Sequence, residues 1–244
     1  MVVKNQIKFI KSLQQKKYRT QHGLFVAEGV KLVNELVSST LSMRKLYKTA
    51  DLVDDDIFDQ AEIVTDSELQ KMSGLKSPNK VLGVFKIPQP EPLDFNDWVL
   101  ALDQVQDPGN LGTIIRLCDW FGVKHLLCST NTGDCYNPKT LQATMGSISR
   151  VNIVYDSISN VVKRSGASLF ATFMDGRSIY EQSMPDRGIL LLGNESHGIS
   201  DQLRQLADFQ IAIPRYGSSE TESLNVATAT AILLSEIRRG VTRK

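Results

Sequence analysis

The stretch Gly188-Ile-Leu-Leu-Leu-Gly-Asn-Glu-Ser-His-Gly198 joins an apolar run directly to a glycine-containing turn. Its first part, Gly188 to Leu192, is short and lacks polar alternation, which is typical of a strand buried on both faces. Similar runs occur at Trp98 to Val105, His125 to Cys128, Val151 to Tyr155, Ser168 to Met174 and Phe209 to Ile213. Helical periods fall between them, at Asn110 to Phe121, Pro138 to Met145, Ser200 to Ala207 and Leu224 to Arg239. This alternation predicts an α/β fold with a mainly parallel sheet covered by helices on both faces.

A proline-rich segment divides this region from the amino-terminal part of the chain. Prolines at positions 88, 90 and 92 remove backbone donors and favour an extended connection. Before it, Leu24 to Ala27 and Val81 to Ile87 are predicted strands, and Glu28 to Val37 is a predicted helix. We therefore expect a small α/β domain over residues 1–90, a linker over 91–97 and a second domain over 98–244.

The overall charge identifies no partner. The chain has 244 residues, with 28 Lys+Arg against 27 Asp+Glu, and a net charge of +1 argues mildly against a dedicated nucleic-acid binder. Local charge is less even: residues 1–24 contain no acid but six bases, Lys4, Lys8, Lys11, Lys16, Lys17 and Arg19. An acidic cluster offsets them, Asp51, Asp54, Asp55, Asp56 and Asp59, and a second basic group ends the chain, Arg238, Arg239, Arg243 and Lys244. Basic groups of this kind either hold phosphates or form solvated helix faces.

Several classes of protein are disfavoured. The three cysteines, Cys118, Cys128 and Cys135, form no Cys-x-x-Cys pair, so neither a disulfide framework nor a zinc site is expected, and a reducing cytoplasmic compartment fits best. The histidines, at positions 22, 125 and 197, are too scattered to suggest a metal site. Lysines interrupt the amino terminus before a signal peptide could form, and no apolar run has the ~18 residues of a membrane span.

Ligands of open parallel sheets bind beyond the carboxyl ends of the strands, and three loops stand out there. In the first, Asp103 to Arg116, Asn110 is placed to cap a helix and Arg116 lies off its apolar stripe. The second is Gly193-Asn-Glu195. The third runs from Ile211 to Asn225, where Ser223 or Asn225 can cap the last helix. Taken singly, each loop is also compatible with an ordinary turn, a surface charge or tight packing.

Together the three loops resemble the SpoU/TrmH family of RNA ribose methyltransferases, within the SPOUT superfamily. The resemblance rests on Asp-x-Val-x-Asp-Pro-x-Asn-x-Gly-x-x-x-Arg ending at Arg116, then Leu-x-x-Gly-Asn-Glu-x-x-Gly ending at Gly198, then Glu-Ser-Leu-Asn-Val-Ala from Glu222. Tyr136 to Lys139 and Thr144 to Gly146 resemble a further family stretch. The amino-terminal Lys17-Tyr-Arg19 and Phe25 to Gly29 resemble the substrate-binding domain of many members, which is similar to kink-turn-binding ribosomal proteins.

The resemblance implies a carboxyl-terminal trefoil knot, a homodimer, S-adenosylmethionine as cofactor and RNA as substrate. It also implies the site residues. The cofactor would be held by Gly193, Ile213, Leu224, Asn194 and Thr172. The catalytic pocket would contain Arg116, Asn110, Glu195, Ser223 and Asn225. RNA would be contacted by Lys16, Lys17 and Arg19.

The roles of the charged residues follow from their chemistry. A guanidinium does not deprotonate in proteins, so Arg116 is expected to act as a fixed cation that anchors a phosphate or stabilises developing alkoxide charge. Glu195 either holds Arg116 or Asn225 in place or accepts the proton. Ribosomal RNA is the favoured substrate because of the two-domain layout. The alternatives are a transfer-RNA enzyme, a base or resistance methyltransferase, and a non-catalytic RNA-binding protein on the same fold.

Overall fold

The computed structural model describes residues 3–52, 58–217 and 223–239. Asp54 to Asp56, residues 218–222 of the third loop, and Arg243 and Lys244 therefore lie outside the described residues. The chain divides into two compact units. The first comprises Met1–Gln89 and Asp134–Ser149, and the second comprises Pro90–Gly133 and Arg150–Lys244.

The helices are α1 (Lys4–Ser12), α2 (Lys16–His22), α3 (Val30–Val37), α4 (Asp66–Met72), α5 (Pro108–Trp120), α6 (Pro138–Thr144), α7 (Ile158–Ser165), α8 (Asp201–Arg204) and α9 (Val226–Arg238). The strands are β1 (Leu24–Glu28), β2 (Met43–Thr49), β3 (Glu62–Val64), β4 (Val81–Lys86), β5 (Trp98–Leu102), β6 (His125–Cys128), β7 (Asn152–Tyr155), β8 (Leu169–Ser178), β9 (Gly188–Leu192) and β10 (Phe209–Ala212).

The first unit is built on a four-stranded sheet in the order β1-β4-β2-β3. Strand β4 is antiparallel to both β1 and β2, and β2 is parallel to β3. The core between this sheet and helices α1 and α4 contains Leu13, Tyr47, Met72 and Leu82, each nearly inaccessible to solvent. The predicted small α/β domain is thus present.

The boundary between β1 and α3 differs from the sequence prediction. The helix was expected to begin at Glu28, but the strand continues through Glu28 and the helix begins at Val30. Gly29 separates them with φ +97°, a conformation that glycine adopts without steric penalty. The buried Glu28 carboxylate accepts hydrogen bonds from the Ser73 hydroxyl and, at 2.8 Å, from the Gly74 backbone amide. Glu28 therefore stabilises the strand end rather than a helix start.

The second unit confirms the predicted parallel sheet. Six strands lie in the order β10-β8-β9-β5-β6-β7, and every neighbouring pair is parallel. The central strands β5 and β9 are buried throughout, as their continuous apolar sequences require. Helix α7, which the sequence analysis did not predict, follows β7 and begins where the Ser157 hydroxyl accepts a hydrogen bond from the Asn160 amide.

Two strand ends in the second unit differ from expectation by more than one residue. Strand β5 stops at Leu102 instead of Val105, and Gln104 follows with φ +60°. Strand β8 continues past Met174 to Ser178 and pairs again with β10 after a register shift. At this second pairing, a Cβ on Gly176 would lie 2.6 Å from the carbonyl carbon of Ile211, so glycine permits the close approach.

No helix among residues 3–52, 58–217 and 223–239 is long and apolar enough to span a membrane.

Candidate active site

The site lies at one edge of the six-stranded sheet, within the second unit. Strands β5, β9 and β10 end at Leu102, Leu192 and Ala212. Because the strands are parallel, the loops that follow them emerge at the same edge. These are the three loops that the sequence analysis singled out.

The first loop leads into α5 through an acidic cap. The Asp107 side chain accepts a hydrogen bond from the Asn110 backbone amide at 2.8 Å, and Pro108 occupies the first helical turn. The prediction that Asn110 caps this helix is therefore wrong. Asp107 satisfies the exposed amide instead, which leaves the Asn110 side chain available for other contacts.

The amide of Asn110 joins the other two loops. Its Nδ2 donates to Glu195 Oε1 at 3.0 Å, and its Oδ1 accepts from Asn225 Nδ2 at 2.8 Å. The Oδ1 of Asn225 in turn accepts from the Ala227 and Thr228 amides, which confirms Asn225 as the cap of α9. The Glu195 carboxylate, the side-chain amides of Asn110 and Asn225, and the first backbone amides of α9 thus form one chain of hydrogen bonds. This arrangement orients all three side chains.

The second loop is held by Asn194. Its Nδ2 donates to the Gln104 carbonyl at 2.7 Å, and its Oδ1 accepts from the amides of Ser196 and His197. The backbone groups of Asn194 and Gly198 exchange two hydrogen bonds of 2.9 Å. A Cβ on Gly193 would lie 2.2 Å from the Gly198 carbonyl carbon, so only glycine fits at that point of the turn. The turn is consequently compact.

A cavity of about 620 Å³ opens between the second and third loops. All five residues predicted to hold the cofactor line it: Thr172, Gly193, Asn194, Ile213 and Leu224. Glu195 and Ser223 also line it. The remaining wall is largely apolar and includes Leu192, Ile211, Val226 and Leu233. The volume lies within the range of small-molecule sites, about 300–1,000 Å³.

The structure does not bring every predicted catalytic residue to this cavity. Asn110 and Asn225 join it through Glu195, whereas Arg116 is exposed on α5 and is not among the lining residues. Within residues 3–52, 58–217 and 223–239, no hydrogen bond or ion pair to its guanidinium is found. The expectation that Glu195 holds Arg116 or Asn225 is replaced by a direct bond to Asn110.

Asp103, the first residue of the first motif, was given no role from the sequence. Asp103, directly after β5, is 4% exposed, and its Oδ2 accepts from the Ser200 amide at 2.9 Å. It thereby fastens the segment after the second loop to the end of the central strand. An acid placed immediately after a buried strand is the signal that could have identified it.

The predicted RNA-contacting residues lie in the first unit and differ in exposure. Lys16 and Lys17 are exposed on α2. Arg19 is only 3% exposed; its guanidinium forms an ion pair with Asp134 and donates to the carbonyls of Leu13 and Gln14. The prediction that Arg19 contacts RNA is therefore wrong, because its donors are directed into the fold. In the part of the chain that the structure describes, no cluster of three or more His, Cys, Asp or Glu residues suited to a metal ion occurs.

Comparisons with known proteins agree with this architecture. Residues 97–235 match the SpoU rRNA Methylase family, and residues 4–83 match the MRM3-like substrate binding domain. The chain is 32% identical to the 23S rRNA (guanosine(2553)-2'-O)-methyltransferase RlmP of Bacillus subtilis, over 96% of this chain and 97% of that protein. It is also 32% identical to the tRNA (guanosine(18)-2'-O)-methyltransferase of Aquifex aeolicus, over 59% of this chain and 69% of that protein.

A solved structure shares the fold over the whole chain. The AdoMet-bound rRNA methyltransferase of Sinorhizobium meliloti superposes with a TM-score of 0.84 at 29% identity, over 100% of this chain and 97% of that one. The sequence prediction of the family is thereby confirmed. The chain belongs to the SpoU rRNA Methylase family.

Proposed function

We propose that this protein transfers a methyl group from S-adenosylmethionine to a ribose 2'-hydroxyl of ribosomal RNA. The observation that carries the proposal is the hydrogen-bonded chain Glu195–Asn110–Asn225 beside a cavity of cofactor size. It places a carboxylate and two amides next to a ligand site at the carboxyl ends of parallel strands. Such groups can orient a ribose, and the carboxylate can accept its hydroxyl proton.

The cavity fits the cofactor in size and in chemistry. Its apolar side chains suit a nucleoside, and the backbone of the turn around Gly193 contributes polar groups without added side-chain bulk. We assign cofactor binding to Thr172, Gly193, Asn194, Ile213 and Leu224. When bound there, S-adenosylmethionine supplies a methyl group carried on a sulfonium.

The catalytic roles differ among the polar residues. Asn110 and Asn225 orient the ribose and are themselves fixed, Asn225 by the α9 amides and Asn110 by Glu195. Among the described cavity-lining residues Glu195 is the only acid, which makes it our candidate for accepting the 2'-hydroxyl proton. Ser223 also lines the cavity. Arg116, exposed and permanently charged, acts as a cation for an RNA phosphate or for developing alkoxide charge.

Ribosomal RNA is favoured over transfer RNA by the extent of the similarity. The Bacillus subtilis enzyme, named for 23S rRNA, matches both parts of this chain, whereas the Aquifex aeolicus enzyme, named for tRNA, matches 59% of it. The additional similarity includes the segment that matches the substrate binding domain. Because that segment carries Lys16 and Lys17, we assign it the contact with RNA phosphates.

The assembly and topology follow from the same proposal. We propose a homodimer, supported by the exposed indole of Trp120 at the end of α5, which is 74% accessible. We also propose the trefoil knot, supported by the chain path: β10 lies at the far edge of the sheet, yet α9, which follows it, packs against the central helix α5. The burial of all three cysteines supports a reducing, cytoplasmic location.

One experiment tests the proposed reaction. The full-length protein is incubated with methyl-labelled S-adenosylmethionine and separated ribosomal and transfer RNA, and the labelled nucleotide is mapped and digested. We expect label on a ribose 2'-oxygen of ribosomal RNA, and none with the Glu195→Ala variant. Label on a base or only on transfer RNA would overturn the assignment. Calorimetry that finds no cofactor binding would favour the non-catalytic alternative.

A further inference from the structure

Helices α1 and α2 present a basic surface on the first unit. Residues 3–22, which contain both helices, include no acidic residue. Five lysines on them are exposed to solvent: Lys4, Lys8, Lys11, Lys16 and Lys17. A surface of this composition attracts polyanions independently of the near-neutral total charge of the chain.

An aromatic pair lies within this basic surface. Ile10 of helix α1 and Leu13, which follows the helix, are buried in the core, whereas Phe9 is 37% exposed. The edge of one ring meets the face of the other in the pair Phe9–His22, with centroids 5.0 Å apart and an interplanar angle of 74°. His22, the last residue of α2, is itself exposed. The pair therefore spans the two helices and keeps ring surface accessible to a ligand.

Phe9 is unusual among the aromatic residues of its unit. Of the Phe, Tyr and Trp side chains described in the first unit, Phe9 is the one that is exposed, whereas Phe25, Tyr47, Phe58 and Phe85 are fully buried. Core packing accounts for the buried rings but not for leaving a phenyl group among lysines. An aromatic face surrounded by cations is the combination with which proteins hold single-stranded nucleic acid.

We propose that Phe9 and His22 form a stacking platform for an unpaired RNA base, with Lys8, Lys16 and Lys17 holding the adjoining phosphates. The inference rests on the proposed function in taking RNA as the substrate, and it adds the aromatic contact that the sequence analysis did not assign. Every base has a π-face, so the platform strengthens binding of unpaired segments without specifying their sequence. RNA segments with an unpaired nucleotide are then bound more tightly than fully paired ones.

The test measures binding of a short single-stranded oligouridylate to the full-length protein by fluorescence anisotropy of a labelled oligonucleotide. Phe9→Ala and Phe9→Leu are each expected to weaken binding by about tenfold, because leucine retains apolar volume but has no π-face. Phe9→Trp is expected to bind at least as tightly as the parent protein. Tyr180→Ala, which removes an aromatic ring of similar exposure in the second unit, is the matched control and should bind normally.

Salt dependence separates stacking from charge. The Phe9 variants should retain the parent slope of log affinity against log salt, whereas Lys16→Ala and Lys17→Ala should each reduce it by about one unit at most. Unchanged binding by both Phe9→Ala and Phe9→Leu, or a Phe9→Trp protein as weak as Phe9→Ala, would overturn the platform. Thermal unfolding of each variant shows whether a loss of binding reflects loss of the fold.

The platform and the reaction can fail independently. If ribosomal RNA is methylated on ribose but Phe9→Ala binds and methylates as the parent does, the platform is wrong and the proposed function stands. If Phe9→Ala loses oligonucleotide binding but no RNA is methylated, the platform stands and the proposed function is wrong.

Discussion

At the scale of single residues, Glu195 has two separable roles, the positioning of Asn110 and the proposed acceptance of a proton. Its Oε1 fixes Asn110 at 3.0 Å, and its carboxylate is our candidate proton acceptor. A glutamine at this position retains a carbonyl oxygen that can accept from Asn110 but is not basic. Glu195→Gln is therefore expected to lower kcat by about 100-fold or more, the contribution typical of general bases, and to leave cofactor affinity unchanged. Single-turnover kinetics and calorimetry measure the two quantities.

The comparison with alanine distinguishes positioning from proton transfer. Glu195→Ala removes both roles and should be slower still, and the exposed Glu181→Gln is the matched control with normal turnover. A Glu195→Gln enzyme as active as the parent would show that Glu195 only positions Asn110.

The guanidinium of Arg116 is the second residue whose chemistry can be tested. If it holds a phosphate or an alkoxide through its planar fork, a lysine of equal charge cannot reproduce the geometry. We expect Arg116→Lys to reduce kcat/KM for RNA by at least about tenfold and to leave the fold intact, because the side chain is exposed and makes no described contact. Steady-state methylation assays with near-full turnover for Arg116→Lys would contradict the bidentate role.

At the scale of elements, the buried pair Arg19–Asp134 ties α2 to residues 134–149 within the first unit. Arg19 also satisfies the Leu13 and Gln14 carbonyls, so Arg19→Ala leaves those groups and a largely buried carboxylate without their donor. We expect a loss of about 3–5 kcal/mol in the free energy of unfolding, measured by urea denaturation. The exposed Lys17→Ala should change it by less than about 0.5 kcal/mol.

A double variant tests whether the two side chains act as a pair. Arg19→Ala combined with Asp134→Asn removes the unpaired charge and is expected to be less destabilised than the sum of the single variants. Strict additivity would show that the guanidinium stabilises the fold only through the two carbonyls.

The elements that sequence patterns predict best are those whose ends are marked by local sequence. Strand β6 and strand β9 have the predicted bounds because each is apolar throughout and is bordered by polar or turn residues. Helix α7 was missed, since Ile158 and Val161 are its only fully apolar buried residues and the pattern is short. The cap of α5 was misplaced by three residues because Asp107 and Asn110 are both good caps, and only the hydrogen bond to Asp107 decides between them.

The site itself was predictable only in part, for a physical reason. The residues of the three loops carry recognisable motifs, but Asn110 and Asn225 are 115 positions apart and meet only after the sheet has formed. The buried state of Arg19 likewise depends on Asp134, a partner 115 positions away. A local sequence pattern identifies such residues but does not determine which side chain each of them contacts.

At the scale of the whole molecule, the near-neutral net charge conceals an uneven distribution. Exposed lysines are numerous on α1 and α2, while the cavity at the sheet edge is lined by one carboxylate, Glu195, and one cation, Arg215. Long-range attraction of RNA is thus assigned mainly to the lysines of α1 and α2, and methyl transfer to the residues at the sheet edge. Screening by salt should affect the first far more than the second.

The stability of the molecule should depend on pH through His125. This residue is 9% exposed at the start of β6, and burial lowers the pKa of its imidazole despite the nearby carboxylates of Asp94 and Glu91. Asn152 Nδ2 lies 3.0 Å from His125 Nδ1. The Asn152 side chain is fixed by the backbone of Glu91, because its Oδ1 accepts from the Glu91 amide and its Nδ2 donates to the Glu91 carbonyl. The amide nitrogen therefore donates to the ring, which requires a neutral imidazole with Nδ1 unprotonated.

The sign of the pH effect follows from that lowered pKa. In the unfolded chain His125 takes up a proton near its ordinary pKa of about 6.5, whereas in the folded protein it resists protonation until a lower pH. The unfolded state consequently binds more protons between those two values, and the free energy of unfolding decreases as the pH falls through this window. Above about pH 7 the contribution is constant, because His125 is then neutral in both states. Urea denaturation at about pH 7.5 and about pH 5.5 measures the decrease, and His125→Gln, which cannot titrate, should show a smaller one. Equal pH dependence in the two proteins would assign the effect to other groups.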